Sequence, residues 1–172
     1  EWNTNTNQWH LAAPAGAGES GGESMRGYFA IGVWHPKCEA NIGTLWRHAY
    51  LFGASLIFTV GARYRKQSSD TLCSINHIPL MHFETLEDLH SHLPHGCPMV
   101  AVEMCESSKP LDTFRHDERA LYLLGAEDHG LPPDVLALAH RRVVIPCPTL
   151  RSMNVATAGT IVMYDRYLKG KL

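Results

Sequence analysis

The 172-residue sequence predicts an α/β fold with a mostly parallel sheet flanked by helices. Three observations predict it. Short apolar runs recur along the chain, each the length of a buried strand. Stretches with helical spacing lie between them. Gly, Pro or Asn stands at most of the switches from one to the other.

The first run, Tyr28-Phe-Ala-Ile-Gly-Val-Trp34, suits a strand buried on both faces. Asn41 is placed to cap the helix that follows, which carries Ile42, Leu45, Ala49 and Phe52 on one face and ends near Gly53. Ser55-Leu-Ile-Phe-Thr-Val60 is the second strand, and a polar loop follows Gly61. Residues 86–93 suit a short helix, and Pro98-Met-Val-Ala-Val102 a strand. Leu121-Tyr-Leu-Leu124 is another strand, stopped by Gly125. Residues 132–139 read as a helix with Pro near its start, and Val143-Val-Ile145 as a strand stopped by Pro146.

A long helix is expected from about Met153 to Leu168. One of its apolar faces carries Val155, Ala158, Gly159 and Val162, and a second carries Ile161, Tyr164 and Leu168. A helix apolar on two sides is buried on two sides. One side covers the sheet. The other is expected to meet a second copy of the chain, the alternative being a fully internal helix.

Hydrophobic residues make up 45% of the chain and charged residues 19%, so a packed globular domain is expected and not a disordered one. Residues 25–172 read as that one domain. Residues 1–24 are rich in Asn, Thr, Gly, Ala and Ser and read as a low-complexity tail, which Trp2, Trp9 and Leu11 can pin to a surface. No apolar run approaches the ~20 residues that span a bilayer, and no basic region precedes an apolar core at the N-terminus. The five cysteines are odd in number and lack CxxC spacing, and the 11 histidines show no metal-ligand spacing. Free thiols, no metal and a cytoplasmic location are expected. The net charge of −2 does not advertise nucleic-acid binding, so any RNA contact has to come from a local patch.

Three segments carry the chemistry, each where a parallel strand gives way to its connection. They are Asn41-Ile-Gly-Thr-Leu-Trp-Arg47, Leu124-Gly-Ala-Glu-Asp-His-Gly-Leu-Pro132 and Ile145-Pro-Cys-Pro-Thr-Leu-Arg-Ser-Met-Asn-Val155. That edge of an α/β sheet is where ligands bind. Gly125 and Gly130 let backbone come close to a ligand. Neutral loops with free N–H and C=O groups suit an adenine ring, which Ile145 and Met153 can sandwich. None of the three segments holds a GxGxxG, GxxxxGK[ST] or GxSxG motif, which argues against dinucleotide, P-loop and serine-hydrolase sites there.

Together the segments resemble the SpoU (TrmH-type) family of the SPOUT superfamily of RNA methyltransferases. The matching residues are Asn41, Gly43 and Arg47, then Gly125, Glu127, Gly130, Leu131 and Pro132, then Ile145, Pro146, Ser152, Met153 and Asn154, over nearly the whole folded part. The resemblance implies a C-terminal trefoil knot, an S-adenosylmethionine site made by the knot, and a homodimer in which both subunits build each active site. By position it implies cofactor contacts from Val102, Gly125, Ile145, Ser152 and Met153. It implies ribose 2′-O-methylation, with Arg47 nearest the hydroxyl and Asn154, Ser152 and Glu127 around it.

Arginine is a poor general base, so Arg47 is expected to hold a phosphate and stabilise a developing alkoxide. Outside this frame Arg47 reads equally as a surface residue, Glu127 as a turn cap, and Ser152 and Asn154 as helix caps. Arg63, Arg65 and Lys66, with Tyr64 between them, form the best basic patch for RNA, or else a solvated loop. His129 reads as a solvated loop residue and Cys147 as a packing residue. Transfer RNA, at the anticodon loop, is favoured over ribosomal RNA, because no sizeable extra RNA-binding domain is evident. The alternatives are methyl transfer to a base nitrogen and a non-catalytic cofactor- and RNA-binding module.

Overall fold

The computed structural model describes residues 2–3, 8–9, 27–63, 70, 74–126, 128–149 and 151–170. Its main sheet contains β1 (Phe29–Trp34), β2 (Leu56–Val60), β3 (Leu80–Phe83), β4 (Met99–Val102), β5 (Lys109–Pro110), β6 (Ala120–Leu124) and β7 (Arg141–Val144). The order across the sheet is β3-β2-β1-β6-β4-β7-β5. Every neighbouring pair is parallel, so all strands end at the same edge. The helices among the described residues are α1 (Glu39–Leu51), α2 (Leu86–Ser91), α3 (Pro133–Leu138) and α4 (Val155–Lys169).

Alternation along the strands builds a core on each face of the sheet. Phe29, Ile31 and Val33 of β1 and Tyr122 and Leu124 of β6 pack with Ile42, Leu45 and Trp46 of α1 and Val155, Val162 and Met163 of α4. Ala30, Phe58, Leu121 and Leu123 face the other way, with Leu86 and Leu89 of α2 and Val135 of α3. The result is a three-layer sandwich, with α1 and α4 against each other on one face. They come close at Gly159, where a Cβ would stand 2.4 Å from Leu45 Cδ1.

The structure corrects several expectations. Asn41 does not cap α1. The helix starts at Glu39, its cap position is Cys38 with no side-chain hydrogen bond, and Asn41 lies within the first turn. Strand β7 begins two residues earlier than its apolar run and ends at Val144, leaving Ile145 just outside. Strands β3 and β5 have no counterpart in the apolar pattern. Trp2–Asn3 and Gln8–Trp9 pair as a short antiparallel ladder inside the stretch read as a tail. Within the chain the two faces of the long helix differ, and Ala158 and Ile161 are partly buried against the core. Val155, Gly159 and Val162 are buried, whereas Tyr164 is 51% and Leu168 44% exposed. Cys38, Cys97, Cys105 and Cys147 are free thiols, and Cys73 lies outside the described residues.

Candidate active site

Three adjacent strands, β6, β4 and β7, present the candidate cofactor residues. Val102 ends β4 in register with Leu124 of β6 on one side and Val143 of β7 on the other. Gly125 therefore leaves the sheet beside Val102, and Ile145 leaves it on the other flank. Val102 and Ile145 both lie on the core face covered by α1 and α4. Met153 is half-buried and Ser152 exposed in the segment leading to α4.

The turn after β6 is a tight backbone device. Ala126 and Gly130 form an antiparallel bridge, and Gly130 N–H donates to the Ala126 carbonyl at 3.0 Å. Gly130 has a φ of +62°, a left-handed conformation that favours glycine. A Cβ on Gly125 would sit 2.4 Å from the Gly130 backbone, so glycine at 125 lets the two limbs touch. Lys37, in the connection after β1, pairs with Asp128 of this turn. The hydrogen bond from its ammonium holds the Asp128 carboxyl below the usual carboxylate range.

Glu103 locks the turn, and sequence reasoning missed it. It directly follows β4. Its Oε2 accepts the Leu131 N–H at 2.7 Å, and its Oε1 accepts the Met104 N–H at 2.9 Å. The only signal for it was an acidic residue at the first position beyond an apolar strand, on the ligand-binding edge.

The first and third segments meet through two asparagines. Asn154 is the N-cap of α4, and its Oδ1 accepts the N–H groups of Ala156 and Thr157 at 3.0 and 3.2 Å. Its Nδ2 donates to Asn41 Oδ1 at 3.1 Å. Further along both helices, Thr160 Oγ1 donates to the Ala156 carbonyl and accepts from His48 Nδ1 at 2.6 Å. Burial pushes the His48 imidazole below its ordinary value, helped by the neighbouring Arg47 charge. The two contacts fix α1 against α4 on either side of Leu45 and Gly159.

Arg47 stands apart from this assembly. It is half-buried on α1, and its Nε is buried with no hydrogen-bond partner among the described residues. Six residues along a helix is about 9 Å, so it lies well down the axis from Asn41. No hydrogen bond or ion pair joins it to Ser152, Met153, Asn154 or the turn after β6 within the described residues. Arg63 is exposed. Glu127, Tyr64, Arg65 and Lys66 lie outside the described residues. A separate concavity of about 490 Å³, lined by Cys105, Ser107, Leu136 and Arg142 among others, involves none of the candidate site residues. No group of His, Cys, Asp and Glu suited to a metal occurs among the described residues.

Comparison with known proteins places this geometry. A tRNA (cytidine(34)-2′-O)-methyltransferase of Beijerinckia indica is 31% identical over 145 residues, 77% of this chain and 86% of that protein. A tRNA (guanosine(18)-2′-O)-methyltransferase of Escherichia coli K12 is 24% identical over 129 residues, 73% of this chain. The chain spans only 56% of that relative's length. The fold is shared with the SpoU methyltransferase AviRb from Streptomyces viridochromogenes in complex with AdoMet. There the TM-score is 0.75 at 20% identity, over 84% of this chain and 58% of that one. Residues 28–164, most of the chain, match the SpoU rRNA Methylase family, and the chain belongs to that family.

Proposed function

We propose that the chain is an S-adenosylmethionine-dependent RNA methyltransferase acting on a ribose 2′-hydroxyl. The observation that carries this reading is Arg47, a half-buried cation on a family-motif position whose Nε has no partner within the described fold. A buried N–H donor without a partner is costly, and an RNA phosphate or a developing alkoxide would offset that cost.

The residues at the edge of β4, β6 and β7 fit the cofactor. Gly125 and Gly130 put no side chain at the two points where the limbs of the turn after β6 meet, and Ile145 and Met153 offer half-buried apolar surface for an adenine ring. Val102, Gly125, Ile145, Ser152 and Met153 would hold it. S-adenosylmethionine, when bound, supplies an already activated methyl group. The protein then has to align the hydroxyl and ease its deprotonation. Arg47 serves by binding phosphate and stabilising negative charge on the ribose oxygen. Asn154, already tied to Asn41, orients the segment that carries Ser152, and Glu127 completes the set. Arg63 contributes to the RNA-binding surface.

Transfer RNA is the favoured substrate, at the anticodon loop. The support is the tRNA cytidine-34 activity named for the relative of which the chain covers 86%. Ribosomal RNA is the second choice. A homodimer is the working form. Its support is the exposed apolar surface of Leu51, Tyr164 and Leu168, with Phe52 against Tyr164 at 6.2 Å between ring centroids. The dimer would bring Arg47 of one subunit to the cofactor of the other, which accounts for its isolation within the single chain. A C-terminal trefoil knot is part of the proposal. It is supported by α4, whose Arg166 and Lys169 bond to carbonyls of Leu111, Phe114, Asp117 and Glu118 in the connection between β5 and β6. The proposed domain is 25–172, in the cytoplasm.

Calorimetry with S-adenosylmethionine and nucleoside mass spectrometry of treated RNA test this function together. Cofactor binding with a new 2′-O-methyl nucleoside is expected. A base-methylated product, or binding without any product, would overturn it.

A further inference from the structure

We infer that Glu103 is a positioning residue for the cofactor, acting through the turn after β6. The inference rests on the cofactor reading above. Glu103 occupies the first position after β4, and its N–H continues the sheet by donating to the Val143 carbonyl at 3.0 Å. Its backbone is therefore fixed by β7, and its side chain reaches toward β6. One carboxylate oxygen takes the N–H of Leu131, beyond the turn after β6, and the other takes the N–H of its own chain neighbour Met104. One residue thus joins the carboxyl ends of β4, β6 and β7, which carry Val102, Gly125 and Ile145.

The contact is closely fitted. A Cβ on Gly130 would meet Glu103 Oε2 at 2.4 Å, so the carboxylate lies directly against the left-handed glycine of the turn. Carboxylate acceptors form short, charge-assisted bonds with backbone N–H groups, and 2.7 Å to Leu131 is at the short end for an N–H donor. Leu131 itself is anchored, being 5% exposed in the core under α3. The Glu103 bond therefore ties the Gly130 end of the turn to a rigid base. Preorganised backbone groups bind a ligand without the cost of ordering a loop. Without Glu103 the turn keeps its Ala126–Gly130 bridge but loses its tie to β4.

Three variants and two readouts test this. Glu103→Ala removes both bonds. Glu103→Gln keeps the length and one carbonyl acceptor for Leu131 N–H. Glu103→Asp keeps the charge but draws it back by one methylene. We expect Glu103→Ala to weaken S-adenosylmethionine binding about tenfold or more and to speed amide exchange at Leu131, with KM for RNA and kcat at saturating cofactor within about twofold of wild type. Glu103→Gln recovers most of the affinity and protection, and Glu103→Asp recovers little. Unchanged cofactor affinity in a folded Glu103→Ala or Glu103→Asp protein overturns the inference. So does an equal loss in the cofactor and RNA constants. If Glu103→Ala does not fold, the contrast between Gln and Asp decides it by the same criteria. Wild-type protein that binds no S-adenosylmethionine overturns the cofactor reading itself, and this inference with it.

Discussion

Arg47 and Arg166 lie on α1 and α4, two helices packed against each other on one face of the sheet. Arg166 is 6% exposed. Its Nη1 donates to the Asp117 carbonyl at 2.6 Å and to the Tyr122 hydroxyl at 3.2 Å, and its Nη2 donates to the Glu118 carbonyl at 2.6 Å. Its guanidinium also lies 5.2 Å over the Phe29 ring. Arg47 is less buried and has no such set among the described residues. The Nε of both is buried without a hydrogen bond, so the difference lies in the terminal nitrogens, which Arg166 spends on the fold itself. Burial alone does not separate a structural arginine from a functional one. The inventory of partners does.

The strongest way to break this contrast is to remove each side chain. Arg47→Ala is expected to lower methyl transfer about 100- to 1000-fold, as loss of one transition-state donor does. Its denaturation midpoint should stay near wild type, because no described partner is left unsatisfied. Arg166→Met is expected to do the reverse. It removes three hydrogen bonds, one of them fully buried, and should cost about 3 kcal/mol by denaturant unfolding, with residual activity tracking the folded fraction. An unstable Arg47→Ala or a stable Arg166→Met would erase the distinction.

Asn154 gives a smaller, sharper test. Asn154→Ala removes the N-cap and should cost about 1 kcal/mol. Asn154→Asp restores the cap but cannot donate to Asn41. If the bridge to Asn41 matters for catalysis, Asn154→Asp is stable and slow. Full activity in Asn154→Asp would reduce Asn154 to a cap.

The smallest effect lies beside Arg166. His116 Nδ1 accepts from the Tyr122 hydroxyl at 2.6 Å, and its Nε2 donates to Asp165 at 2.9 Å. Lys169 contacts the same carboxylate at 2.8 Å. Burial pushes His116 below its ordinary value of 6.5, outweighing the opposing pull of Asp165. Burial likewise pushes the Tyr122 hydroxyl up to about 12, so it stays a donor. The unfolded chain then binds the proton more readily than the native one. Stability from neutral His116 is complete above pH 6.5 and is lost as pH falls toward the lowered native value. His116→Gln should flatten the acid side of the stability profile, by less than about 1 kcal/mol between pH 7 and 5.5. An unchanged slope would mean that other groups carry it.

Much of this was readable in advance, for physical reasons. Strands β1, β4 and β6 are buried on both faces, so their runs are continuously apolar. β3 was not readable, because Met81 is exposed and His82 pairs with Thr59 across the edge, which breaks the run. β5 is two residues long and includes Pro110, tolerated because it sits at the sheet's far edge. The three site segments stood out because Gly125, Gly130 and Asn154 each meet a backbone requirement that few residues can. Glu103 looked like any charge after a strand, since its meaning lies in a bond to Leu131, 28 positions away. Asn41 was misread because an asparagine near a helix start has the same local signature whether it caps its own helix or receives a bond from another.

The most direct measurement is the single-turnover rate of Arg47→Lys at saturating S-adenosylmethionine. Lysine keeps the charge but loses the planar fork that grips phosphate and the ribose oxygen together. A rate below about a tenth of wild type, with unchanged cofactor affinity and unchanged stability, is the predicted result. A near-wild-type rate would contradict the account, because a point charge would then suffice where a bidentate guanidinium is claimed.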